Sequence, residues 1–209
     1  GGWQVTVVLR DTDARVEATW RGVLRDGSRY LRQEVALSAL QGPLAVSRIV
    51  LVDLVLPNPA VVGSVKGSPV VGGGAYTAFE HPLSESVIAD SRAVCTLGRE
   101  LPLRPGAPFA VSSVIGVTRR GQLRRDFLEY VERERAHPYR TFLHYNSWYD
   151  IGYFSKYSET DALAVIDAFG SELRMQRNVV LSSFLFDDGW DETASLWGFH
   201  AGFPQGFAR

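Results

Sequence analysis

The chain has 209 residues, 45% of them hydrophobic, and a formal net charge of −1 at neutral pH. That is ordinary soluble globular composition, with enough apolar material for a real core and room for two domains. The near-neutral balance gives no electrostatic case for nucleic acid or an anionic membrane as partner, and no apolar run approaches the roughly 20 residues needed to span a bilayer.

Residues 1–119 read as all-β. Residues 4–9 and 16–20 carry partial alternation, and residues 32–37 and 47–55 follow as further strands. Asp26-Gly27-Ser28 looks like a hairpin turn, and Pro57-Asn58-Pro59 ends a strand. Gly72-Gly73-Gly74 reads as a flexible loop. More short runs come at 76–80, 87–89, 92–97 and 109–117. Many short strands with Gly/Pro punctuation mean a sandwich or a barrel. The one cysteine, Cys95, cannot make an internal disulfide and reads as a small buried hydrophobe within its strand.

The period changes at Gly121. Leu123, Phe127, Leu128 and Val131 fall at helical spacing and Pro138 closes the segment, so residues 120–138 read as a helix connecting two domains. Strand, helix, strand follow. Residues 141–145 form the first strand. A helix starts near Ser158, where Ser158 and Asp161 have capping-box spacing with Asp in place of the usual Glu/Gln. Ala162, Ile166, Phe169 and Leu173 form its expected buried stripe. Gly170 costs about 1 kcal/mol there relative to Ala, which predicts close packing or an interruption. Residues 179–186 are a largely apolar second strand, as a buried parallel strand should be.

Polar and aromatic residues gather at the carboxyl ends of both strands, the edge where parallel α/β architectures build active sites. After the first come Asn146-Ser147-Trp148; after the second, Asp187-Asp188-Gly189-Trp190. Adjacent carboxylates repel each other and are costly to bury without partners. They suit acceptance of hydrogen bonds from neighbouring sugar hydroxyls, and a site built for a hydroxyl rejects analogues lacking one. A solvated loop or a helix N-cap is the plainer reading. Trp148 and Trp190, and with less reason Trp197, could offer flat faces to sugar C–H groups, although the same rings also fill cores. Asp191 and Glu192 raise a calcium loop, but the EF-hand spacing is absent. His81, His137, His144 and His200 show no metal spacing, and His144 within its strand reads as a satisfied core residue. There is no G-x-S-x-G elbow, P-loop or strand-borne G-x-G-x-x-G.

Three motifs in order, Asn146-Ser147-Trp148, Asp187-Asp188-Gly189-Trp190 and Phe203-Pro204-Gln205-Gly206, resemble the opening of the catalytic barrel in the α-galactosidase clan of glycoside hydrolases. Glycine in the second motif is closer to family 36, whose members carry a large β-sandwich before the barrel. The likeness covers roughly residues 140–209; Phe79-Glu80-His81-Pro82 also looks like a turn reused in related sandwiches. The resemblance implies a multi-domain β plus α/β fold. An antiparallel β-sandwich (1–119) and a connecting helix (120–138) would precede the first strand–helix–strand unit of an incomplete (β/α)8 TIM barrel (139–209).

It further implies a retaining glycoside hydrolase acting on terminal α-galactose-type residues of oligosaccharides. Trp148, Asp187, Asp188 and Trp190 would bind substrate, with no cofactor and no metal. In such enzymes one carboxylate attacks the anomeric carbon and another serves as acid/base, roughly 5 Å away. Both are expected on later barrel strands beyond Arg209, so no catalytic residue is named here and the chain alone should be inactive. Its second strand should expose an unpaired edge with Leu181, Phe184 and Phe186. Tyr149-Asp150-Ile151 and Leu196-Trp197-Gly198-Phe199-His200 depart from characterised α-galactosidases, which leaves N-acetylated galactose and transfer to another sugar open.

The resemblance implies an oligosaccharide or glycoside as partner, the composition argues for neither nucleic acid nor membrane, and a homo-oligomer of the full-length parent is open. The alternatives are a noncatalytic carbohydrate-binding protein and a structural sandwich with an accidental motif. Gly1-Gly2-Trp3 at the start and Arg209 at the end both read as cuts; the compartment is undecided, with a lean to periplasmic or secreted.

Overall fold

The computed structural model describes residues 1–208, which fall into two compact units, 1–138 and 139–208. No helix among the described residues is long and apolar enough to cross a membrane.

The first unit is a β-sandwich. Its strands are β1 (Gly2–Arg10), β2 (Val16–Arg25), β3 (Tyr30–Ala39), β4 (Arg48–Val55), β5 (Ala60–Val61), β6 (Val70–Gly72), β7 (Ala75–Phe79), β8 (Glu85–Ala89), β9 (Arg92–Gly98) and β10 (Phe109–Val117). Seven form one sheet in the order β1-β2-β3-β10-β7-β6-β5, and three form the other, β4-β9-β8. Every pairing in both sheets is antiparallel. The period-2 alternation decides what faces inward. Along β9, Ala93, Cys95 and Leu97 are buried. They meet Ile49 and Val52 of their own sheet and Val35, Val70, Phe79 and Val111 of the larger one. Cys95 is a free, fully buried thiol, as expected.

The larger sheet is covered on its other face too. Helix α1 (Leu123–Glu134) lays Phe127, Tyr130 and Val131 over Tyr30, Tyr76, Ala78 and Val114. The Tyr130 ring meets Tyr30 edge-on at 5.1 Å, and Phe127 meets Tyr76 at 5.2 Å. Leu123 and Leu128, expected on the apolar stripe, are exposed. The helix is a packed part of the first unit. Its end is held by charge: Glu134 receives Arg25 Nε at 2.6 Å, Arg25 Nη2 at 3.1 Å and the Tyr30 hydroxyl at 2.6 Å. Glu80 likewise receives Arg32 Nε at 2.8 Å and the Tyr130 hydroxyl at 2.6 Å. That gives the Phe79-Glu80-His81-Pro82 turn a structural task.

Two local expectations need correction. Gly72-Gly73-Gly74 is not a flexible loop. Gly72 pairs with Ala75, and Gly73 and Gly74 both hold positive φ, which makes a tight two-residue hairpin turn. The short strands β5 and β6 went unread, because two or three residues carry too little alternation to register.

The second unit holds β11 (His144–Asn146), a 3-10 turn at Ser147–Tyr149, α2 (Glu159–Phe169), a π-helical turn at Gly170–Met175, then β12 (Ser183–Leu185), β13 (Asp191–Glu192) and β14 (Gly198–Phe199). β11 and β12 pair in parallel, with His144, Tyr145 and Asn146 opposite Ser183, Phe184 and Leu185. Both strands are shorter than their apolar runs, since a strand extends only as far as its ladder partner. Ser158 and Asp161 form the expected capping box. Gly170 marks an interruption: the α-helix becomes π-helical there, and a Cβ at Gly170 would meet nothing within 4 Å, so no close packing calls for the glycine. Of the expected stripe only Ala162 is buried; Phe169 and Leu173 are half-buried and Ile166 is exposed. His144 is exposed beside Phe142, not a core residue. Leu181, Phe184 and Phe186 are half-buried, because Phe184 and Phe186 pack against Tyr145.

Candidate functional site

β11 and β12 run in parallel, so the residues that follow them emerge at the same sheet edge. After β11, Asn146 caps the 3-10 turn by accepting the Trp148 N–H on Oδ1 at 2.9 Å. Ser147 is fully buried at the centre of the loop. Its carbonyl accepts the N–H groups of Asp150 at 3.0 Å and Gly152 at 2.7 Å. Its Oγ accepts the backbone N–H of Asp187 at 2.8 Å. That bond joins the first motif to the second.

Tyr157 is the next fastener. Only 3% exposed, it donates its hydroxyl to the Asp187 carbonyl at 2.9 Å and its N–H to the Gly189 carbonyl at 3.1 Å. Burial holds its phenol above the usual range, and the charges of Asp187, Asp188 and Asp191 push the same way. Gly189 sits at φ +112°, where a Cβ would run into the Ser155 carbonyl oxygen and lie 2.9 Å from the Tyr157 ring. Only glycine fits there. Gly152 is constrained from the other side, since a Cβ on it would lie 2.8 Å from the Asp188 carbonyl oxygen.

The third motif meets the same core. Phe203-Pro204-Gln205-Gly206 is a turn closed by the Gly206 N–H on the Phe203 carbonyl at 3.0 Å. Phe203 is buried with Tyr157 and Ala162, flanked by Ile151, Phe186 and Trp190. His200 ties the pieces together. Its Nε2 lies 2.9 Å from the Gly189 carbonyl and 3.1 Å from that of Tyr157, while Nδ1 accepts the Gly202 N–H at 2.9 Å. Two carbonyls at Nε2 and a donor at Nδ1 assign the proton to Nε2.

The carboxylates differ. Asp187 is half-buried and its Oδ1 accepts the Asp188 N–H at 2.8 Å. Asp188 is exposed. Among the described residues neither forms an ion pair, so both keep acceptor capacity. The half-buried Trp148 ring packs edge-on against Tyr153 at 5.4 Å and Phe154 at 4.8 Å. Trp190 stacks on Trp197 at 6.0 Å and touches Phe199 and Phe207. The two tryptophans therefore belong to separate aromatic groups. Asp191 and Glu192 form β13, and Glu192 pairs with Lys156 at 3.0 Å. No cluster of three or more His, Cys, Asp or Glu side chains able to hold a metal occurs among the described residues.

Sequence reasoning passed over Tyr157, gave Ser147 no role beyond its motif and weighed His200 only as a metal ligand. Tyr157 carried a signal: it directly precedes the Ser158 N-cap, where a bulky apolar residue fixes helix entry. Ser147 carried none beyond its place in the motif.

No protein-family model matches the chain, and no curated protein matches it. Solved structures do. The alpha-galactosidase AgaB of glycoside hydrolase family GH36 from Geobacillus stearothermophilus aligns with a TM-score of 0.52 at 17% identity. A doubly substituted GH36 alpha-galactosidase AgaA from the same organism, crystallised with raffinose, aligns with 0.51 at 13% identity. Each alignment covers 90% of this chain and 33% of the enzyme, so the chain spans about a third of their length. The likeness is one of fold: this is a distant GH36-like architecture.

Proposed function

We propose that this chain is part of a retaining glycoside hydrolase acting on terminal α-galactose-type residues. In this reading β11, α2 and β12 open a (β/α)8 barrel, residues 1–119 are its sandwich domain and residues 120–138 lead into it. Asp187 and Asp188 accept hydrogen bonds from vicinal hydroxyls, and Trp148 and Trp190 offer ring faces to the sugar. The attacking and proton-donating carboxylates come from segments outside this chain. The observation that carries the reading is the Ser147–Asp187 bond, which holds the two polar motifs side by side at the carboxyl edge of a parallel pair.

The chemistry follows from the acceptors. Hydrogen bonds to a charged group contribute about 1.5–3 kcal/mol each, and in hydrolases they count toward rate when they tighten in the transition state. Asp187→Ala and Asp188→Ala in the full-length parent should each lower kcat/KM on an aryl α-galactoside by more than tenfold. The 209-residue chain alone should show no turnover. Parental kcat/KM in both variants, or turnover by the chain alone, would discard the assignment.

A further inference from the structure

A cavity of about 780 Å³ opens at the end of the sandwich where β4, β8 and β10 begin and β9 ends. Its lining residues all fall between positions 47 and 109, within the first unit and away from both ends of the chain.

Strand parity brings a cation into it. The inward row of β9 is Ala93, Cys95 and Leu97, and Arg99 continues that row just past the strand. Its backbone N–H bonds to the Ser47 carbonyl at 2.9 Å, which keeps it in line with the β4 ladder. The guanidinium carbon lies 4.0 Å from the ring centroid of Phe109, on the opposite sheet. That stacking holds the group in place, yet its donors are poorly used. Nε is buried and has no hydrogen-bond partner, and Nη2 reaches only the Pro102 carbonyl at 3.4 Å. A guanidinium carries five N–H donors, and a buried donor left unpaired is costly.

The surrounding charges do not meet that demand. Arg48 lies across the ladder from Gly98, and a Cβ at Gly98 would meet nothing within 4 Å, so the floor beside Arg48 is open. Among the described residues neither Arg48 nor Arg99 forms an ion pair. Lys66 is matched by Glu85 at 3.0 Å. Glu100 is the other carboxylate of the lining, which leaves one positive charge in excess. Neutral donors are present as well. His81 Nδ1 accepts the Leu83 N–H at 3.1 Å, which assigns its proton to Nε2. The side-chain hydroxyls of Ser47 and Thr96 make no hydrogen bond among the described residues.

We infer that this cavity is a second carbohydrate site, one that takes a sugar bearing a carboxylate. Arg48 and Arg99 are the carboxylate's partners, since the planar guanidinium fork matches it in shape and charge. The His81 Nε2–H and the hydroxyls of Ser47 and Thr96 serve the sugar's own hydroxyls. The volume is that of a small-molecule site, typically about 300–1,000 Å³, and is far more than one carboxylate side chain fills. That a sugar carries the carboxylate rests on the proposed function; the demand for an anion does not.

Calorimetry on the full-length parent tests this, with a galacturonate–galactose disaccharide as probe and its methyl ester as the uncharged counterpart. The acid should bind about tenfold more tightly than the ester or better, and added salt should weaken it. Arg48→Gln should lower affinity for the acid about tenfold and leave the ester unaffected. Gly98→Leu fills the open floor without a clash and should block both. Arg92→Gln removes an equal charge at the far end of β9 and should change neither. All three variants should melt cooperatively and keep parental turnover of an aryl α-galactoside. Binding and turnover are read separately, so a failed hydrolase assignment and a failed second site give different results. Equal binding of acid and ester overturns the inference, as does parental affinity in Arg48→Gln or no binding by the parent. Binding by the 209-residue chain but not by the parent would show the cavity filled by a segment outside this chain, and overturns it too.

Discussion

Asp187 N–H bonds to Ser147 Oγ at 2.8 Å across forty positions of sequence, and the buried serine thereby fixes where the Asp187-Asp188 pair begins. The β11–β12 ladder is only three residue pairs long, so this side-chain bond is a large part of what aligns the two strand ends.

Ser147→Ala should cost about 1–3 kcal/mol, because the Asp187 N–H loses its partner in a half-buried site. Urea denaturation followed by tryptophan fluorescence measures it. A midpoint unchanged from the parent would mean that water replaces the hydroxyl without loss.

Gly189→Ala should destabilise the second unit more, by roughly 1–3 kcal/mol for the left-handed backbone plus the clash with Ser155 and Tyr157. Trp190 is adjacent, so its emission reports the change. An equally stable variant would show that the loop can rotate away from Tyr157.

Acid should loosen the clamp on α1. The Arg25 guanidinium beside Glu134 holds its carboxyl below the ordinary value of 4.5, with the Tyr30 hydroxyl adding to the effect. A carboxylate depressed in the folded state contributes its full stability above the unfolded value and loses it as pH falls through the folded one. Stability should therefore be flat with respect to Glu134 above about pH 5.5 and decline below pH 4.5. Glu134→Gln should remove that part of the acid dependence and cost about 2 kcal/mol at pH 7. Parallel pH–stability curves for parent and variant would contradict this.

Where a segment obeyed one strong local rule, the sequence was readable. Residues 109–117 alternate and pair on both sides as β10, and Ser158 with Asp161 capped α2 as their spacing required. Failures came where tertiary contacts chose among equivalent options. Leu128 looked as apolar as Tyr130, yet Tyr130 is buried because its hydroxyl finds Glu80 and its ring finds Tyr30 and Tyr76. Gly73-Gly74 looked merely flexible because its pairing depends on β6, which is too short to read. At the candidate site the two aspartates and the tryptophans could be named from the sequence as candidates. Their supports, Ser147 and Tyr157, could not, since a buried hydroxyl bonded to a distant backbone leaves no periodic trace.

Gly152, Ser147 and Gly189 fix the loops from beneath, and the Asp188 side chain has no part in that framework. The scaffold and the exposed Asp188 carboxylate, a proposed acceptor for substrate hydroxyls, are therefore separately mutable. Substitutions at Asp188 can alter what the surface recognises while the fold persists. Drift at the three small residues cannot be tolerated even where recognition is unchanged. On the proposed assignment, divergence at Asp188 should change specificity, whereas divergence at the serine and glycines should cost the domain.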